Sequence, residues 1–135
     1  MLHLRESAHA AMVGHAYDGL PDEACGLLVG TLAPPSIVRF HPSANLAQSS
    51  KVYTVDPAEH LRADRAAEAD GMEIVGVMHS HTHTDAYPSP TDVAQAPDPG
   101  WHYVIVSLRD AAPVVRSFRI EDESITEEPI SLVRG

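Results

Sequence analysis

Residues 72–92 read MEIVGVMHSHTHTDAYPSPTD. Apart from Glu73 the first seven are apolar or glycine and rich in β-branched side chains, which predicts a buried central strand. That strand runs straight into His79, with His81 and His83 following at i+2 and i+4. Side chains two residues apart on an extended chain point the same way. His79 and His81 can therefore meet one metal ion without strain. A catalytic zinc takes three protein ligands and keeps a fourth place for water. Asp92 is a candidate third ligand, placed where a helix start favours a carboxylate. His83 extends the histidine series if the chain stays extended through Thr82. A turn there removes His83 and Asp85 from the ligand set.

Ser89 and Pro90 carry a helix-start signature, and Asp92 stands three residues after the serine. Ser89 reads as a helix cap. Its hydroxyl also suits donation to a developing oxyanion. Asp92 has the same double character, because an acid at this position is ordinary capping chemistry.

Upstream of the strand, Asp56, Pro57 and Glu59 predict the start of a helix that runs to Asp70 and stops at Gly71. Residues 51–55, KVYTV, alternate and predict another strand. EACGLLVGT (23–31) and SIVRFHP (36–42) predict a hairpin. Leu4, Ala8, Ala11, Met12 and His15 predict an amphipathic helix over 2–17, ended by Gly19-Leu20-Pro21. Downstream, HYVIVSL and PVVRSFRI predict two strands, and SITEEPISLV one more. The order of elements predicts a mixed α/β domain, a sheet with helices packed against it.

The chain has 135 residues, enough for one domain (1–135) with one core. Its formal charge is −10, from 19 acidic and 9 basic residues, which argues against a nucleic-acid binder. No apolar run approaches the ~20 residues needed to span a bilayer, and the start lacks the apolar core of a signal peptide. No membrane association and a cytoplasmic location are expected. The single cysteine, Cys25, excludes an internal disulfide. In a strand it would share a face with Glu23. It reads as a buried core thiol, with a nucleophilic cysteine as the rival mechanism.

Hydrolysis needs a base, and Asp22 and Glu23 are the candidates. Spacing alone does not choose between them.

At this point the residues resemble the JAMM (MPN-plus) metalloproteases. The pattern of that family is a distant Glu, then His-x-His, then Ser-x-x-Asp seven residues on. It is matched here by Glu23, His79, His81, Ser89 and Asp92. LPDEACGLLVG, HSHTHTDAYPSPTDV and ITEEP are similar to members that release cysteine from a ubiquitin-like sulfur carrier ending in Gly-Gly-Cys. Thr82, where many members have Pro, fits that subgroup, while His83 has no counterpart ligand. The resemblance implies the JAMM/MPN fold, a central mixed sheet of the cytidine deaminase-like kind flanked by helices. It implies one Zn²⁺ held by His79, His81 and Asp92, with Glu23 as base and Ser89 as oxyanion donor. A thin, extended carrier tail would add along a strand edge, with His83, Tyr87 and Trp101 as candidates to line the cleft. A homodimer is compatible with all of this. Two rival functions share the motif: a JAMM isopeptidase acting on ubiquitin-like conjugates or other peptides, and a non-catalytic MPN scaffold.

Overall fold

The computed structural model describes residues 1–135. Its centre is the strand predicted from residues 72–78, which continues through both histidines as β4 (Glu73–His81). Every position of β4 after Glu73 is buried, because the strand has neighbours on both sides and helices on both faces. The remaining elements are β1 (Leu2–Arg5), α1 (Glu6–Asp18), β2 (Cys25–Thr31), β3 (Ser36–Ser43), α2 (Pro57–Ala69), α3 (Pro90–Ala94), β5 (His102–Ser107), β6 (Val114–Glu121), β7 (Ser124–Glu128) and β8 (Ile130–Val133). The eight strands form one mixed sheet in the order β7-β6-β5-β4-β2-β3-β1-β8.

Helix α1 buries Ala8, Met12 and Ala16, one residue per turn, against Leu2, Leu4, Leu28, Val75, Met78, Val104 and Val106. On the other face Ala63 of α2 packs with Leu27 and Ile74. The pairing of β4 with β2 steps from Val29↔Ile74 to Leu28↔Gly76, so Val75 is an extra residue. This β-bulge re-aims the rest of β4. Val75 and Met78 both face α1, and Val77 faces the opposite way, as do His79 and His81 two and four residues on. Gly76 lets β5 come close: a Cβ there would lie 2.0 Å from the His102 carbonyl oxygen.

The sheet is strongly curled. Laid flat, eight strands at ~4.8 Å spacing would put β7 and β8 about 34 Å apart. Only Pro129 separates these edge strands, so Glu128 and Ile130 lie within ~7 Å. The two edges are therefore drawn together at one seam. Beside it His102 Nδ1–H donates to Glu128 Oε1, which also accepts from Ser117 Oγ at 2.7 Å. Burial pushes the Glu128 carboxyl up, but the His102 and Ser117 hydrogen bonds outweigh it and hold it below its ordinary value. A lowered carboxyl stabilises the fold above its unfolded pKa, near 4.3, and loses that contribution as pH falls through the folded value. Glu128→Ala strands the fully buried His102 and Ser117. It should cost about 1–3 kcal/mol at neutral pH, read as a fall of several degrees in Tm. The gap from wild type should narrow in acid; an unchanged Tm at pH 7 would refute this reading of the seam.

Three sequence expectations change. Residues 2–5 are a strand, not the first turn of the helix: Leu2 and Leu4 alternate inward, and β1 pairs in parallel with β3 and β8. Residues 51–55 form no ladder beyond an isolated bridge between Asn45 and Val55. The Asn45 side chain takes over the backbone groups there, donating to Val52 O at 3.0 Å and accepting from Thr54 N at 2.9 Å. The last predicted strand is two, split at Pro129 and paired at opposite edges of the sheet. No helix is long and apolar enough to cross a membrane.

Candidate metal centre and active-site cleft

His79 and His81 end β4, with their imidazoles on one face as their spacing requires. After His81 the chain leaves the sheet and returns to it through α3. Ser89 caps α3, accepting from Asp92 N at 3.1 Å, while Asp92 Oδ2 accepts from Ser89 N at 2.9 Å. This capping box holds Asp92 Oδ2 3.1 Å from His79 Nε2 and 3.0 Å from His81 Nε2. The two imidazole nitrogens are themselves 3.1 Å apart. These three side chains are the group whose ligand atoms lie together, and all are buried.

The arrangement fits a metal ion. Ligands ~2.0–2.1 Å from a tetrahedral zinc stand about 3.3 Å from one another, close to this triangle. His81 Nδ1–H donates to Asp85 O at 2.7 Å, which leaves the Nε2 lone pair facing the centre. Tyr53 stacks on His79, with ring centroids 4.4 Å apart and planes at 15°. His79 Nδ1 is buried without a partner. Burial pushes the His79 imidazole below its ordinary value against the pull of Asp92. Burial acts the same way on His81, but Asp92 and the Asp85 carbonyl overcome it and raise the pKa. For Asp92, burial raises the pKa, and the two histidines override it and hold the carboxyl far below the usual carboxylate range.

Glu23 reaches the same place from the residues before β2. Its N–H donates to Ser49 O at 2.8 Å, and its carbonyl accepts from Asn45 Nδ2 at 2.9 Å. Ser80, between the two histidines, ties the same segment to β4: its hydroxyl accepts from Ala24 N at 2.7 Å, and its N–H donates to Ala24 O at 2.9 Å. Glu23 as a residue is 4% exposed, and its buried Oε1 has no partner. Burial is the main cause that pushes its pKa up to about 7, with His81 lowering it and Asp92 raising it. Asp22 is half-buried and lies outside this cleft.

Glu23, Ser50, Lys51, His81, Thr82, His83, Thr84 and Ser89 line a cleft of about 330 Å³. His83 is exposed on its wall, outside the metal triangle. Tyr87 and Trp101 do not line it. Tyr87 packs edge-on against Phe118, centroids 5.4 Å apart. Trp101 lines a separate apolar pocket of about 540 Å³ with Leu27, Tyr53, Val55 and Val77. β4 is paired on both sides, with β2 and β5, so it offers no edge to an added strand. The Cys25 thiol is fully buried and faces Ala44 O and Thr54 O, and burial pushes its pKa up to about 11. A thiolate nucleophile has no support here. Sequence reasoning missed Asn45, Ser80, Tyr53 and the Asp85 carbonyl. Only the asparagine, set in a polar stretch, carries a local signal.

A curled mixed sheet that brings two histidines from a strand together with an aspartate from a capped helix has the JAMM/MPN fold and a group of side chains that could hold a metal ion. The chain belongs to the Prok-JAB family, the prokaryotic homologs of the JAB domain, whose model matches residues 5–121. It is 44% identical to the CysO-cysteine peptidase of Mycobacterium tuberculosis, over 98% of this chain and 92% of that protein. It is 36% identical to the desampylase of Haloferax volcanii, over 78% of this chain and 80% of that protein. Among solved structures it is similar to a protein of Desulfitobacterium hafniense, with a TM-score of 0.92 and 37% identity over 100% of this chain and 94% of that one. A JAB1/MPN domain protein from Archaeoglobus fulgidus shares the fold, with a TM-score of 0.63 at 17% identity over 98% and 97% of the two chains.

Proposed function

We propose that residues 1–135 form a single catalytic domain, a zinc-dependent peptidase that hydrolyses the bond between the last glycine of a ubiquitin-like sulfur carrier and a C-terminal cysteine. The observation that supports metal-dependent hydrolysis is the triangle of His79 Nε2, His81 Nε2 and Asp92 Oδ2, with the Glu23 carboxyl on the same cleft. The choice of substrate rests on likeness to a CysO-cysteine peptidase along nearly the whole chain.

In this reading His79, His81 and Asp92 hold the zinc. The ion would supply Lewis acidity and an acidified water. Glu23, whose Oε1 is unpartnered on the cleft, would accept a proton from the attacking water. Its unpartnered Oε1 and raised pKa suit a group that must both accept a proton and give it up near neutrality. Ser89 Oγ accepts from Asp92 N, which leaves its own O–H free to donate to the developing oxyanion. Glu23 then passes the proton to the amine of the departing cysteine.

Incubating the protein with a carrier bearing a C-terminal cysteine, with and without a chelator, tests this by mass spectrometry. Loss of one cysteine residue is expected, and the chelator should abolish it. An intact adduct beside cleavage of a lysine-linked conjugate would favour the isopeptidase reading instead, which the likeness to a desampylase supports.

A further inference from the structure

We infer that Lys51 binds the free α-carboxylate of the leaving residue, and so selects a C-terminal amino acid over a side-chain isopeptide. The inference rests on the peptidase reading above and narrows its substrate class.

A departing C-terminal amino acid carries its carboxylate about 3 Å from the nitrogen that leaves. An isopeptide leaves through a lysine ε-amine and has no carboxylate there. The carboxylate must therefore settle in the cleft, close to two acidic groups, Glu23 and Asp92, in a chain of net charge −10. A bound zinc would offset the charges of Glu23 and Asp92, so neither sign dominates at the centre, and a side-chain cation lining the cleft gives the carboxylate a partner of its own. Lys51 is the only lysine of the chain, and it lines this cleft. Five arginines make ion pairs on the surface: Arg39, Arg62, Arg109, Arg116 and Arg119. Lys51 makes none.

Its position is built. Asn45 Nδ2 donates both to Val52 O at 3.0 Å and to Glu23 O at 2.9 Å. The backbone beside Lys51 is thus hooked to the backbone of the proposed base. Lys51 N donates to Ser49 Oγ at 3.0 Å, and Ser50 O accepts from Thr82 Oγ1 at 3.5 Å, just past the end of β4. The side chain therefore springs from a segment tied to both Glu23 and the end of β4. Lys51 is exposed and lines the cleft, and its long, flexible stem lets the ammonium reach a carboxylate bound there. His83, exposed on the same wall, offers a second N–H to the carboxylate.

The test uses a peptide ending in Gly-Gly-Cys as the free acid, the same peptide as its C-terminal amide, and Gly-Gly joined to a lysine Nε. Zinc-loaded wild type should prefer the acid over the amide by about tenfold or more in kcat/KM, carried in KM, as a charged hydrogen bond implies. Lys51→Ala should bring that ratio toward one, and Lys51→Arg should restore most of it. Equal wild-type rates on acid and amide, or a ratio that Lys51→Ala leaves unchanged, would overturn the inference. Calorimetric binding of the acid and amide peptides is measured alongside. If wild type cleaves neither, the peptidase reading fails by itself. Binding then decides on Lys51: tighter acid binding that Lys51→Ala abolishes sustains it, and equal binding overturns it.

Discussion

Glu23→Gln should lower kcat by about 10²–10⁴-fold while zinc content stays near one ion per chain. The magnitude is that of a positioned general base. The carboxyl is buried, its Oε1 has no partner, and its pKa is pushed up to about 7, so nothing in the fold consumes the group that the change removes. Glutamine keeps the shape. The backbone bonds of residue 23 to Ser49 and Asn45 do not involve the side chain, so the fold should hold. Turnover near wild type in a zinc-replete Glu23→Gln protein would remove Glu23 as the base. Loss of zinc together with activity would make it a ligand instead.

Asp92→Ala should abolish both metal binding and activity. Disturbing a residue that merely supports a ligand weakens metal affinity by ~10–100-fold. Asp92 contacts both histidines directly, so its loss should exceed that range in chelator competition. The change also removes half of the capping box on α3, at a cost of about 1 kcal/mol in stability. Asp92→Asn separates the two effects. An amide oxygen can still accept from Ser89 N, so Tm should largely recover while affinity does not. Wild-type zinc affinity in Asp92→Ala would refute the triad.

Much of the site was legible because its signals are local. His79 and His81 face one way through the two-residue period of a strand, and Ser89 with Asp92 is a cap written in four residues. A choice between Glu23 and Asp22 was not legible from spacing, because what distinguishes them is burial: Glu23 is buried on the cleft and Asp22 is half-buried outside it. The Glu23 backbone is held by the Asn45 side chain, a contact across more than twenty residues. The same distance hid the strand character of Leu2–Arg5, whose partners are β3 and the far end of the chain. KVYTV has the composition of a strand, but its backbone groups are taken by the Asn45 and Ser49 side chains and by Leu46 N–H. Tyr87 and Trp101 were plausible cleft walls by residue type, yet they pack against Phe118 and into the neighbouring apolar pocket. Residue type states what a side chain can do, and only the fold states where it does it.

The seam at Pro129 also bears on how copies of this chain meet one another. An exposed sheet edge is a template on which another molecule can grow a strand, and long, flat, apolar edges aggregate. Here the two free edges are β7 and β8, five and four residues long. Between them stands a residue with no N–H to donate. On β7 the Glu127 carboxylate is paired with Arg116, and Arg134 follows β8, so charged side chains flank the junction on both sides. A molecule whose central strands are as apolar as β4 thus keeps its two edge strands short, which limits the template it offers to a second copy.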